Sequence, residues 1–161
     1  MKIKYVKGDL FDMIVPNTVI PHVCNNANKW GRGFVVPLMN KYLYARTEFD
    51  EWAKGNRRIL PYGLGYTQVV EVEPYVWVAN MIAQVFYVHD GSIRQHRPLY
   101  YNKLADCMEQ VAKHCKVHSV DILAPKFGSE LAGGNWKFVE DLIYDIWIEV
   151  GIPVTVVEYN K

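Results

Sequence analysis

Two stretches concentrate the residues able to do chemistry. "HVCNNANKWGRGF", His22 to Phe34, follows a β-branched apolar run and sets His22 where the chain leaves it, with Asn25, Asn28, Trp30, Gly31 and Gly33 after it. An imidazole titrates near neutrality, so His22 at a strand end is a candidate for proton transfer to or from a ligand. The alternative is a core histidine whose nitrogens the backbone satisfies. "LAPKFGSELAGGNW" repeats the pattern of apolar run, glycine loop and helix start, with Phe127, Gly128, Ser129, Leu131, Ala132, Gly133, Gly134 and Asn135. Glycine lets backbone approach an anion, and free amides at a helix start carry partial positive charge, so either loop can hold a phosphate and the two together a diphosphate. Neither loop has P-loop or GxGxxG spacing.

A third stretch, "VFYVHDGSIRQHR", is long and polar enough to be functional, and it offers Asp90 as an orienting or acid/base partner. A turn role for Asp90 before Gly91 is the alternative. Trp30, Phe34 and Phe127 flank the glycine loops, either walling a pocket and stacking on a base or plugging the core. "NRRILPYG" reads as a solvated loop.

The elements around these loops follow from periodicity. "KIKYVKG" and "TVIPHVCN" read as strands, the second buried on both faces. Phe34, Leu38 and Tyr42 recur at helical spacing, which predicts a helix from Gly33 to about Tyr44, with another across "TEFDEWAKG". "GYTQVVEV" and "YVWVANMIA" predict two strands. Leu104, Met108 and Val111 mark a helix from Pro98 to about His114, and "SVDILAP" a strand. "WKFVEDLIYDIWIEVG" is amphipathic and closes at Gly151, and "PVTVVEY" ends the series. Strands alternating with helices imply a three-layer α/β/α sandwich around a mixed, largely parallel sheet, with ligands beyond the carboxyl ends of the strands.

The whole chain of 161 residues is expected to form a single domain, with half its residues apolar. A net charge of +1 without long runs of either sign argues against a broad face for duplex nucleic acid, so an anionic partner must be met in a pocket. Cys24, Cys107 and Cys115 have no CxxC spacing, which argues against a disulfide framework or zinc site and for a reducing cytoplasmic setting. No apolar run is long enough for a membrane span or a signal sequence. No cofactor or metal is expected.

Taken in order, "KGDLFD", "CNNAN", "WGRGF" and "KFGSELAGGNW" make the chain similar to the macro domain, a family that binds ADP-ribose. The likeness covers nearly the whole sequence. It implies that Asp9 accepts from the adenine amino group beside the amide of Leu10, and that Asn25 and Asn28 contact the distal ribose. Local alternatives are a turn cap for Asp9 and turn-stabilising bonds for the two asparagines. "YVWVANMIAQ" and "RPLYYNKLADCMEQV" resemble the branch containing ADP-ribose-1''-phosphate phosphatases and the hydrolases that remove ADP-ribose from glutamate. Those hydrolases use a Lys and an Asp where this chain has Gln84 and Ala132, so their covalent route lacks its groups here. The resemblance therefore implies binding of ADP-ribose and hydrolysis of its 1''-phosphate, with His22, Asn28 and Asp90 as the catalytic candidates. The competing expectations are a non-catalytic reader, and a hydrolase removing ADP-ribose from protein or nucleic acid.

Overall fold

Thr18–Asn25 (β2) carries an almost unbroken apolar run, and such a strand is stable only where both faces are covered and both edges paired. The computed structural model, which describes residues 1–58, 60–85, 99–129 and 134–159, meets both conditions. The six strands β1 (Lys4–Gly8), β2, β3 (Thr67–Glu73), β4 (Val76–Gln84), β5 (Asp121–Ala124) and β6 (Val154–Tyr159) form one sheet in the order β1-β6-β5-β2-β4-β3. All neighbours are parallel except β3 and β4, a hairpin that places β3 antiparallel at one edge.

Alternation along the strands divides the core in two. On one face Ile20, Cys24, Val78 and Ile82 pack with Leu38, Ala45, Phe49 and Trp52 of α1 (Val35–Lys41) and α2 (Leu43–Ala53). On the other face Val19, Ala79, Met81 and Ile122 meet Leu104, Met108 and Val111 of α3 (Tyr101–His118). Val139 and Ile143 of α4 (Trp136–Ile143) join them, as does Trp147 of the π-helical turn Tyr144–Ile148 that continues it. The indole of Trp147 is fully buried and donates to the Met108 carbonyl at 2.9 Å, so its burial leaves no polar group unpaired. The layers are those of an α/β/α sandwich. No helix among the described residues is long and apolar enough to cross a membrane.

The helical boundaries differ from the periodic reading. The first helix ends at Lys41 and the second begins at Leu43, because Tyr42 leaves helical geometry at φ −130° and ψ 75°. Its hydroxyl is tied to Glu73 at the end of β3, at 2.6 Å, which holds the break in place. Pro37 falls in the first turn of α1, where its missing N–H costs no helical bond. The third helix runs one turn beyond His114, to His118, and stops at Ser119 in left-handed geometry.

The connections after β2 and after β5 run to opposite faces although the two strands are neighbours. A crevice must open between their carboxyl ends. Its second rim is pinched at the base of the second glycine loop, where Ser129 and Gly134 bridge. A Cβ on Gly134 would stand 2.1 Å from the carbonyl oxygen of Gly128, a clash with rigid backbone. Gly134→Ala is therefore expected to lower stability by about 2 kcal/mol or more. Gly31→Ala, with nothing within 4 Å of the new methyl group, should change stability by less than about 0.5 kcal/mol. Chemical denaturation of the two variants beside the wild type decides it, and a Gly134→Ala protein of wild-type stability would refute the pinch.

Candidate functional site

The crevice holds two cavities, of about 750 Å³ and 460 Å³, that share Gly33, Phe34 and Pro125. Two joined lobes of that size suit an elongated small-molecule ligand. The smaller lobe is walled by Asp9, Leu10, Phe11 and Tyr159, the larger by residues from β2, the first glycine loop, α2 and the segment after β5.

Asp9 is exposed, and its Oδ1 accepts from the amide of Phe11 at 2.9 Å, capping the short 3₁₀ turn Leu10–Asp12. Capping engages one oxygen and leaves Oδ2 to accept from a ligand amine. Phe34 lies between the lobes, and Phe11, which the sequence reading passed over, stacks on it with centroids 5.5 Å apart. Gly33 takes φ +82° there, open to glycine at little cost.

His22 lines the larger lobe while only 2% exposed. Its ring meets the edge of Trp30 at 5.2 Å and Phe34 at 6.0 Å. A chain of side chains fixes its proton. The Glu48 carbonyl can only accept, so Gln68 turns its Nε2 toward it at 2.9 Å and presents Oε1 to Asn80 Nδ2 at 3.0 Å. That leaves Asn80 Oδ1 for His22, whose Nε2 donates across 2.5 Å. Nδ1 is thereby the unprotonated nitrogen, able to accept. Burial pushes the His22 pKa down to about 4, against a smaller upward pull from Asn80. The partner of Nε2 is thus the Asn80 side chain rather than the backbone named above as the alternative, and backbone enters only at the far end of the chain, through the Glu48 carbonyl. Asn80 was legible only as a polar residue inside an apolar strand.

The two asparagines are already engaged. Asn25 Oδ1 accepts from the amides of Ala27 and Lys29, at 3.0 and 3.2 Å, and its Nδ2 donates to the Lys29 carbonyl at 2.8 Å. Its side chain is thus the scaffold of the turn after β2. Asn28, left-handed at φ +58°, donates to Asp50 Oδ1 at 2.8 Å and accepts from Arg46 at 2.5 Å. Lys54 first, then Asn28, hold the Asp50 carboxyl below its usual range.

Trp30 walls the larger lobe, away from Asp9, with Arg46 5.2 Å over its ring. Gly31, Gln84, Phe127, Gly128 and Ser129 line that same lobe. Phe127 is 4% exposed and packs on Trp136 and Trp147, so it is largely a core residue that reaches the cleft. Two expected ligand contacts have structural roles of their own. Gly134 and Asn135 line neither lobe, because Gly134 is spent on the pinch and Asn135 caps α4, accepting from the Lys137 amide at 2.8 Å. Asp90, Leu131, Ala132 and Gly133 lie outside the described residues.

Lys29, Arg32 and Arg46 line the larger lobe, and no carboxylate does among the described residues. None of the three was singled out from the sequence. The cleft therefore has an acidic lobe at Asp9 and a cationic lobe, which meet at Gly33, Phe34 and Pro125.

The low pKa of His22 makes folding sensitive to acid. Below its ordinary value of 6.5 the unfolded chain takes up a proton that the folded chain refuses until about pH 4. Stability is complete above pH 6.5 and falls between those values, by at most about 3 kcal/mol. His114, pushed down to about 4 by burial and by His118, acts in the same direction. Denaturation of wild type and His22→Gln across this range should show a shallower decline in the variant. Equal declines would mean that His22 does not stay neutral in the fold.

No protein-family model matches the chain. A curated protein of Candida albicans named ADP-ribose 1''-phosphate phosphatase is 22% identical over 152 residues, 89% of this chain and 92% of that protein. A solved protein of unknown function from Bacteroides thetaiotaomicron is 34% identical, covers 98% of each chain and has a TM-score of 0.88. A solved macrodomain protein from Streptomyces coelicolor is 35% identical over 99% of both chains, with a TM-score of 0.81. With that identity across its full length, the strand order and the cleft between β2 and β5, the chain belongs to the macrodomain family.

Proposed function

We propose that the cleft binds ADP-ribose and hydrolyses ADP-ribose-1''-phosphate to ADP-ribose and phosphate. The observation that carries this reading is the charge polarity of the two lobes, with Asp9 in the smaller and Lys29, Arg32 and Arg46 in the larger. An adenine amino group suits an acceptor-only carboxylate, and the aromatic wall of Phe34 and Phe11 suits the base. The diphosphate fits the glycine-lined junction, and the distal ribose then enters the lobe of His22 and Asn28. The name of the Candida albicans relative supports the choice of the 1''-phosphate.

In this reaction a water oxygen attacks phosphorus, the bond from phosphorus to the C1'' oxygen breaks, and the freed ribose hydroxyl takes up a proton. His22, neutral and with Nδ1 unprotonated, is suited to accept the water's proton rather than to donate one. A phosphate dianion beside it raises its basicity as the ligand binds. The cations balance the charge that moves onto the oxygens.

The deep burial of His22 also favours a second reading, a binder of ADP-ribose without turnover. Phosphate release from ADP-ribose-1''-phosphate separates the two. The wild type is expected to turn over, and His22→Ala to lose about 10²-fold or more in kcat. A wild type that binds ADP-ribose in calorimetry yet releases no phosphate is a reader. Release of ADP-ribose from modified protein would instead make it a de-ADP-ribosylating hydrolase, and no binding at millimolar ADP-ribose would remove all three readings.

A further inference from the structure

We propose that Arg46 binds the phosphate at the far end of the ligand and so sets a preference for a phosphorylated distal ribose, an assignment that rests on the ADP-ribose reading above. Arg46 projects from α2, eighteen residues beyond Asn28, and lines the larger lobe but not the lobe of Asp9. The glycine-lined junction lies between, so a diphosphate held there leaves Arg46 to whatever follows it. His22 and Arg46 both pack on Trp30, each 5.2 Å from its ring, which gathers the cation and the buried imidazole around one indole.

Two features separate Arg46 from an ordinary surface arginine. It has no direct ion pair, since no carboxylate lies within ion-pair distance of it among the described residues and Asp50 acts on it only at longer range, across Asn28. The acids of its own helix are taken by others, Asp50 by Lys54 and Glu48 by Arg57, each at 2.8 Å. It is also already oriented. One terminal nitrogen donates to Asn28 Oδ1 at 2.5 Å, the other to the Asn28 carbonyl at 3.3 Å, and Cζ lies over the Trp30 ring. Asn28 thus engages two of its five N–H groups and leaves the others for a phosphate, whose oxygens match the planar fork. A side chain held in place beforehand loses little freedom on binding. Lys29 and Arg32, exposed on the glycine loop, are the cations suited to the diphosphate.

Calorimetry with ADP-ribose and with a non-hydrolysable 1''-phosphonate of it tests the assignment, on wild type, Arg46→Ala, Arg46→Gln and Arg46→Lys. The wild type should prefer the phosphonate about tenfold or more, as expected for charge-assisted bonds. Raised ionic strength should shrink that preference. Alanine and glutamine should bring it close to unity, and lysine should restore part of it. Glutamine removes the charge while keeping a polar amide and part of the side chain's length, so it tests the charge with less disturbance of the loop than alanine. Equal losses for both ligands in all variants, with the preference intact, would reduce Arg46 to a brace for Asn28. A wild type that binds both ligands equally well would overturn the Arg46 assignment alone. A wild type that binds neither would overturn the ADP-ribose reading, and this assignment with it.

Discussion

The site depends on one strand that cannot move. β2 is paired along its length with β4 and, at its start, with β5, and all its residues but Val23 are buried. A slip of one residue would send Ile20, His22 and Cys24 to the face occupied by α3 and α4, so the register is held by the whole core. The strand ends at an irregularity between Cys24 and Asn25, where the pairing with β4 shifts to Gln84. There the Asn25 side chain takes over from the sheet and bonds the turn back onto itself. The first glycine loop therefore leaves the sheet in a fixed direction, and its placement follows from apolar packing far from any ligand.

Helix α2 is the second fixed point, and it acts on the site by two routes. Its core face, with Ala45, Phe49 and Trp52, seats it against the sheet. From that seat the Glu48 carbonyl begins the chain through Gln68 and Asn80 that sets the His22 tautomer. A polar chain in a core costs free energy unless every member is bonded, and a fully bonded one tolerates no rearrangement. The same helix sends Arg46 and Asp50 to Asn28 from one side, a turn apart. The proton position on His22 and the orientation of Asn28 are thus consequences of where one amphipathic helix packs.

Strand periodicity and glycine loops are short-range signals, which is why the strands around the sheet and both loops were legible in the sequence. The break at Tyr42 was not, because a tyrosine bonded to Glu73, 31 residues on, carries no local mark. Gly134 carries a second reason for being glycine that its loop context did not mark, the backbone of Gly128 passing within reach of a Cβ. Asn25 and Asn28 could each serve a turn or a ligand, and sequence has no means to weigh a partner such as Arg46, eighteen residues away on a separate element. The polar chain behind His22 was harder still, since its members sit on β2, β4, β3 and α2. A buried asparagine in an apolar strand was its one visible trace.

Net charge says little about such a cleft. The chain as a whole is at +1, yet the larger lobe gathers three cations without an acid among its described lining residues, because acids and bases are sorted by position. On α2 the sorting is explicit. Glu48 and Asp50 face Arg57 and Lys54, and Asn28 adds a neutral donor to Asp50, so neither carboxylate is left to cancel Arg46. An exposed pair such as Lys54 and Asp50 contributes little to stability. Its larger effect is to occupy Asp50, which would otherwise be the nearest counter-charge to the site. The fold thereby keeps an oriented cation without a direct ion-pair partner among the described residues at the wall of the cleft.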